Sequence, residues 1–411
     1  VSGPTPPPHR RQPATALGAT LFLQIVAAAM FSATAVVAPA LPPGLGLDES
    51  GLGIFGALTF AGAMFGTSVA AFLLTRHGPI RLIQVGVLLS SLALAVLFTG
   101  VPTLVFAAAV FIGIGYGPNA PGGSYLLSRH TRVERRSLIF SIKQSGVPAG
   151  GAMVGILIPL VEAEHGWQAA LSVVIAIGIV TAIVVQPWRT RLDLDVIAGA
   201  AARVPMRLAD VVPVSVVREH PVLVRIALMS FTYGAGQMIM GTYLVTFLAD
   251  QAAMTLLAAG AAFSAMQVSS FAVRMIAGWL NDRLGRARLI LASFGFVTAI
   301  SVTFLATVGP ETPYGLVLVI AVFCGAGAAG WNGVYLAEIA RQVPEHQIAS
   351  ATAATVFFTY FGLVVGPAAF SLLLALSGYT TAFAGLALLV LIGGLIILIP
   401  PRDRQRATSS T

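Results

Sequence analysis

The sequence predicts an all-α membrane protein, with twelve transmembrane helices in two pseudo-symmetric six-helix bundles. Three observations predict it. Hydrophobic residues make up 57% of the 411-residue chain and charged residues only 9%, with a mean hydropathy of +0.90, against roughly 25% charged in a soluble domain. Apolar stretches of about 20 residues, the length that crosses the hydrocarbon core as a helix, recur from end to end. Short sequences in the first half return in the second half in the same order.

In chain order, the spans read Ala16–Leu41, Gly51–Thr75, Leu82–Val101, Leu104–Ser128, Ser137–Val161, Gln168–Gln186, Pro221–Leu248, Leu256–Leu280, Leu289–Val308, Tyr314–Ala337, Gln347–Ser377 and Thr381–Ile399. The first is too long for the apolar core of a secretory signal, despite Arg10 and Arg11 ahead of it, and reads as a retained helix. Residues 1–15 are Pro-rich and polar and read as a disordered cytoplasmic tail. The organisation expected is a six-helix half over 16–187, an arginine-containing cytoplasmic linker over 188–221, a second half over 222–400 and a cytoplasmic tail over 401–411.

Arginines set the orientation. Loops on one side hold Arg76, Arg81, Arg129, Arg132, Arg135, Arg136, Arg189, Arg191, Arg203, Arg207, Arg218, Arg283, Arg286, Arg288 and Arg341. The opposite loops hold Asp48, Glu49, Glu162, Glu164, Asp250 and Glu311, with no Lys or Arg. Positive residues stay inside, so both termini are expected in the cytoplasm, in a cytoplasmic (inner) membrane. Because the arginines are dispersed rather than gathered on one face, the net charge of +8 does not point to nucleic acid.

The repeat is legible in three places. Thr75-Arg-His-Gly-Pro-Ile-Arg-Leu-Ile83 aligns with Asp282-Arg-Leu-Gly-Arg-Ala-Arg-Leu-Ile290, Tyr125-Leu126 with Tyr335-Leu336, and Gly166-Trp-Gln-Ala-Ala-Leu171 with Gly378-Tyr-Thr-Thr-Ala-Phe383. The offsets are 207, 210 and 212. A duplicated polytopic chain points to a transporter that binds near the midplane between its halves.

Gly278-Trp-Leu-Asn-Asp-Arg-Leu-Gly-Arg-Ala-Arg288 resembles the loop signature of the major facilitator superfamily between helices 8 and 9. The resemblance implies that this loop helps to latch the cytoplasmic side, with Gly278, Asp282, Arg283, Gly285, Arg286 and Arg288 carrying it. Arg76, Gly78 and Arg81 belong to the first copy, where Thr75 replaces the aspartate and Pro79 and Ile80 replace basic positions. No strong latch is expected there.

Two charges lie well inside the spans. Lys143, the only lysine of the chain, sits in span 5, and Arg274 in span 8; Arg225 and Glu338 lie nearer helix ends, and no Asp or Glu lies deep. At 1.5 Å per residue, Lys143 lies about 9 Å in from Ser137 and Arg274 about 10 Å in from Asn281, the same depth in the layer. An intramembrane ion is a functional-site hypothesis by default. The bland alternative is snorkelling to the cytoplasmic surface. Side chains tilt toward a helix's N-terminus, so Lys143 leans toward that surface and Arg274 away from it.

Two cations without a buried acid favour an anionic substrate. Arg274 can clamp a carboxylate bidentately, with Lys143 assisting. An arginine in span 8 before the second signature resembles the monocarboxylate and oxalate-type anion porters of the superfamily. Helices 1, 4, 7 and 10 line the cavity in that family. Candidate hydrogen-bonding residues are Gln24, Tyr116, Asn119, Gln144, Tyr233, Gln237, Gln267, Trp331, Asn332 and Tyr335, although such groups in membrane helices more often satisfy one another.

The expected function is secondary transport of a small organic anion by a monomer in the lipid bilayer, coupled to a proton or an exchanged anion. Neither cofactor nor metal is expected. One alternative is a multidrug or metabolite exporter, though the family's drug-antiporter signature is missing from span 5 and only Gly366-Pro367 comes near it. Another is a non-transporting membrane sensor. Enzyme chemistry is not expected, because His9, His77, His130, His165, His220 and His346 fall in loops, in the tail or at helix edges, with no nucleophile and base set among them. Cys324 lies in an apolar segment as a packing residue.

Overall fold

The computed structural model describes residues 13–47, 49–193 and 214–400, and regular structure among them is entirely helical. Most of the predicted N-terminal tail, the middle of the linker and the C-terminal tail lie outside the described residues. The chain divides into two compact units, one of Val1–Val212 with Val343–Ala353, the other of Pro213–Gln342 with Ala354–Thr411.

The first unit contains α1 (Pro13–Val37), α2 (Glu49–His77), α3 (Pro79–Val96), α4 (Pro102–Tyr116), α5 (Asn119–His130), α6 (Arg136–Gln144), α7 (Gly146–Val184) and α8 (Gln186–Leu192). Helices α3, α4 and α8 have proline in their first two positions, where an N–H would lack an intrahelical acceptor anyway. Because α1 begins at Pro13, the last three residues of the predicted disordered tail are helical. Helix α1 packs along α7, α2 along α4, and α3 against both α4 and α7. Gly62 and Gly66 of α2 lie so close to the α4 carbonyls of Val110 and Ile114 that a Cβ would collide with them. Small residues let apolar helices approach to backbone contact, where dispersion replaces the missing hydrophobic drive.

The second unit contains α9 (Val214–Glu219), α10 (Pro221–Asp250), α11 (Leu256–Leu284), α12 (Ala287–Leu305), α13 (Tyr314–Ala329), α14 (Asn332–Gln342) and α15 (Ile348–Leu398), whose opening turns up to Ala353 belong to the first unit. Helix α13 packs between α11 and α12. Thr255 caps α11 by accepting from the Ala258 N–H at 3.3 Å, and Gly285 closes its far end at φ 63°, the usual start and stop chemistry.

Nine continuous helical stretches among the described residues are long and apolar enough to cross a membrane. Two of them, Val133–Val184 and Glu345–Leu398, each contain two spans joined at a non-helical glycine, Gly166 (φ 77°, ψ 171°) and Gly378 (φ 76°, ψ 175°). Counting these as four and adding α11, which carries Arg274, gives the twelve expected. The two glycines are repeat partners and share a backbone conformation that side chains disfavour.

The structure departs from the sequence reading inside three spans. Span 4, expected as one helix, breaks between Tyr116 and Asn119, and span 10 breaks between Ala329 and Asn332. Pro118 cannot donate to the α4 ladder, while Gly330 and Trp331 fill the equivalent gap in the second unit. Span 5 is interrupted at Ser145, whose N–H is shared between the Ser141 and Ile142 carbonyls at 3.0 and 3.2 Å. The predicted linker is helical at both described ends, as α8 and α9.

Candidate functional site

The break in span 4 organises a polar cluster within the first unit. Asn119 opens α5 and donates from Nδ2 to the Tyr116 carbonyl at 2.9 Å, satisfying an acceptor left by the end of α4. Lys143, at the end of α6, reaches that corner and donates from Nζ to Gln24 Oε1, to the Asn119 carbonyl at 3.0 Å and to Gln144 Oε1 at 3.1 Å. Gln24 in turn donates from Nε2 to the Tyr116 hydroxyl at 3.0 Å. An ammonium has three donors, and here three neutral oxygens take them. Lys143 is only 2% exposed, so it does not snorkel as its tilt suggested. Its chain passes over Gly123, where a Cβ would crowd Lys143 Cε at 2.8 Å.

The second unit builds the corresponding corner with a different cation. Asn332 opens α14, as Asn119 opens α5, and its Nδ2 faces the Ala329 carbonyl at 3.4 Å and Gln237 Oε1 at 3.2 Å. Gln24 and Asn119 precede Gln237 and Asn332 by the same 213 positions, so the two carboxamide pairs are repeat partners. Arg274 donates from Nε to the same Ala329 carbonyl at 2.7 Å and is 5% exposed. Arg274, Gln237 and Asn332 therefore share one corner.

Tyr233, Trp331 and Tyr335 form a buried aromatic group, with Trp331 edge-on to Tyr233 at 5.6 Å and to Tyr335 at 5.1 Å. Their polar atoms have protein partners: the Tyr233 hydroxyl meets the Leu291 carbonyl at 2.8 Å, Trp331 Nε1 the Ala328 carbonyl at 3.0 Å, and the Tyr335 hydroxyl Thr359 at 3.3 Å. Gln267 is exposed. Arg225 donates to the Pro221 and Ile399 carbonyls near helix ends. Glu338 accepts from Gln342 at 2.6 Å.

In the second loop signature, Asp282 Oδ1 accepts from Arg341 at 3.3 Å. Arg283 lies over the Trp279 ring at 4.3 Å, and the Gly285 N–H reaches the Asn281 carbonyl at 2.9 Å. The Arg286 carbonyl accepts from Leu289 and Ile290 at the start of α12, Arg288 is half-buried and Gly278 is buried in α11. In the first copy, Arg76 lies over the Phe72 ring at 4.5 Å, Gly78 has φ 86°, and Arg81 donates from Nη1 to Gln84 at 2.9 Å.

Sequence reasoning missed Asp193, just beyond α8. Its carboxylate accepts from the Ile80 and Arg81 backbone N–H groups at 2.9 and 2.8 Å, capping α3 from more than a hundred residues away. Burial pushes the Asp193 carboxyl up to about 6, opposed by those two N–H bonds and by the charges of Arg189 and Arg81. Nothing local in the sequence marks it. Within the first unit, Arg129 also pairs with Glu345 at 2.9 Å.

Duplicated units of membrane-spanning length, with helices broken at a polar corner in each, make this a polytopic membrane protein. The sequence pattern of the Major Facilitator Superfamily matches residues 20–367, and the chain belongs to that family. It is 22% identical over 334 residues to the hexuronate transporter of Bacillus subtilis, covering 80% of this chain and 73% of that one. To the gentisate transporter of Corynebacterium glutamicum it is 24% identical over 345 residues, covering 80% and 74%. The crystal structure of the superfamily transporter FucP in the outward conformation shares the fold, with a TM-score of 0.72, 14% identity, and coverage of 93% of this chain and 97% of that one.

Proposed function

We propose that this transporter carries a small organic anion, a carboxylate, across the cytoplasmic membrane by alternating access, with both termini cytoplasmic. Arg274 carries the reading. A guanidinium buried within a spanning helix, at a broken helix and beside two carboxamides, supports the reading, because an arginine's planar fork suits a carboxylate. The similarity to transporters named for hexuronate and gentisate, both carboxylate anions, supports the same charge.

Lys143 adds positive charge to the transporter rather than a direct contact with substrate, since its three donors already have acceptors in the first unit. Coupling is to a proton travelling with the substrate or to an exchanged anion. The protein reconstituted in liposomes should accumulate a radiolabelled carboxylate, and Arg274→Lys should lower the rate at least tenfold, because an ammonium cannot reproduce bidentate contact. Wild-type rates from Arg274→Ala, or resistance to cationic drugs independent of Arg274, would turn the assignment toward an exporter.

A further inference from the structure

The two repeat-related carboxamide pairs are occupied differently. In the first unit, Lys143 fills the corner, and Gln24 and Asn119 are each 1% exposed. In the second unit, no charged residue lies anywhere along α15, which contains the positions equivalent to Lys143, and Gln237 and Asn332 are only half-buried. In one repeat a built-in cation bonds the glutamine side chain and the asparagine backbone carbonyl and the pair is buried; in the other the pair is half-buried and bonded to itself.

What the accessible pair can bind follows from its atoms. A carboxamide offers one acceptor oxygen and two N–H donors. The Asn332 Nδ2 to Gln237 Oε1 bond leaves Asn332 Oδ1 as an acceptor and Gln237 Nε2 as a donor, and neither has a further partner among the described residues. A ligand hydroxyl can donate to the first and accept from the second at once. A carboxylate cannot donate, and an ammonium cannot accept. The cation is adjacent, because Arg274 Nε and Asn332 Nδ2 converge on the one Ala329 oxygen and so lie within about 6 Å of each other. One small molecule can therefore meet the guanidinium and the carboxamide pair together.

We infer that the substrate is a hydroxycarboxylate, its carboxylate taken by Arg274 and its hydroxyl by the Gln237 and Asn332 pair. The inference rests on the organic-anion reading of the same site and adds the second recognition element. Discrimination should be large, because a site built to hydrogen-bond a hydroxyl is left with unpaired polar groups when the analogue lacks it.

Matched acids test it. Lactate against propionate, 3-hydroxybutyrate against butyrate, and gentisate against benzoate are titrated into the purified full chain by calorimetry. At least one hydroxy acid should bind tenfold or more tightly than its deoxy partner. Gln237→Leu should bring that ratio toward one while still binding the deoxy acid measurably, which also shows that the variant folds; should it fail to fold, Asn332→Leu, read by the ratio alone, carries the test. Equal binding of both members of every pair, or a ratio unchanged in the leucine variants, overturns the hydroxyl assignment and leaves the anion reading standing. If the wild-type chain binds none of these acids, the anion reading itself falls.

Discussion

Asp193 caps the first turn of α3 across a sequence separation of 112 residues, its Oδ2 accepting the Arg81 N–H at 2.8 Å. The first loop copy has Thr75 where the second has Asp282, and the linker supplies a carboxylate to that loop instead. Gly78 makes room for it, since a Cβ there would overlap Asp193 and the residue holds φ 86°. Gly78→Ala should therefore lower thermal stability in detergent by about 1–3 kcal/mol, from backbone strain and the collision together.

The same carboxyl gives a pH dependence. Its folded-state pKa, about 6, lies above the ordinary 3.8, so the folded state holds the proton more tightly than the unfolded chain does. Its contribution is complete below about pH 4 and is lost as pH rises through about 6. Compared with Asp193→Asn, the wild type should lose up to about 3 kcal/mol across that window, read as the difference between two melting curves. A constant difference from pH 4 to 7 would refute this.

Lys143→Met separates charge from packing. Removing the ammonium orphans buried oxygens, at about 1–3 kcal/mol, but relieves the several kcal/mol cost of burying an ion without a counter-charge. The variant should melt at or above the wild-type temperature while transporting the anion at least tenfold more slowly. A lower melting temperature with undiminished transport would make the lysine purely structural.

Asp282 and Arg341 should show a measurable coupling. Their side chains are 9% and 18% exposed, more enclosed than a surface pair worth a few tenths of a kcal/mol. A double-mutant cycle with Asp282→Asn and Arg341→Gln should return about 1–2 kcal/mol in detergent unfolding. A value near zero would leave the loop signature without a latch in this state.

The twelve spans and the duplication were legible because length and hydropathy register every residue of a helix, whatever its neighbours. The helix breaks were not. The 20-residue ruler runs straight through Gly117-Pro118 and Gly330-Trp331, although the Gly-Pro pair was a readable stop signal. Gly166 and Gly378 stood out as repeat matches, but their positive φ did not. For the site, residue type pointed to Lys143, Arg274, Asn119, Gln237 and Asn332. Only the structure could show that Lys143 is enclosed, and that Tyr233, Trp331 and Tyr335 turn their polar atoms to protein partners. Asp193 stayed hidden because its partners are backbone N–H groups far along the chain.

One oxygen with two donors has a consequence for motion. A buried carbonyl deprived of its only partner resists the loss, and an arginine that must leave such a carbonyl to meet a ligand carries that penalty into every binding event. At Ala329, Asn332 stands beside Arg274, so in the proposed role the guanidinium would turn toward a carboxylate while the carboxamide kept the helix end covered. The break in span 10 thus presents one carbonyl to both Arg274 and Asn332, and the proposed role would use the second donor to offset the loss of the first.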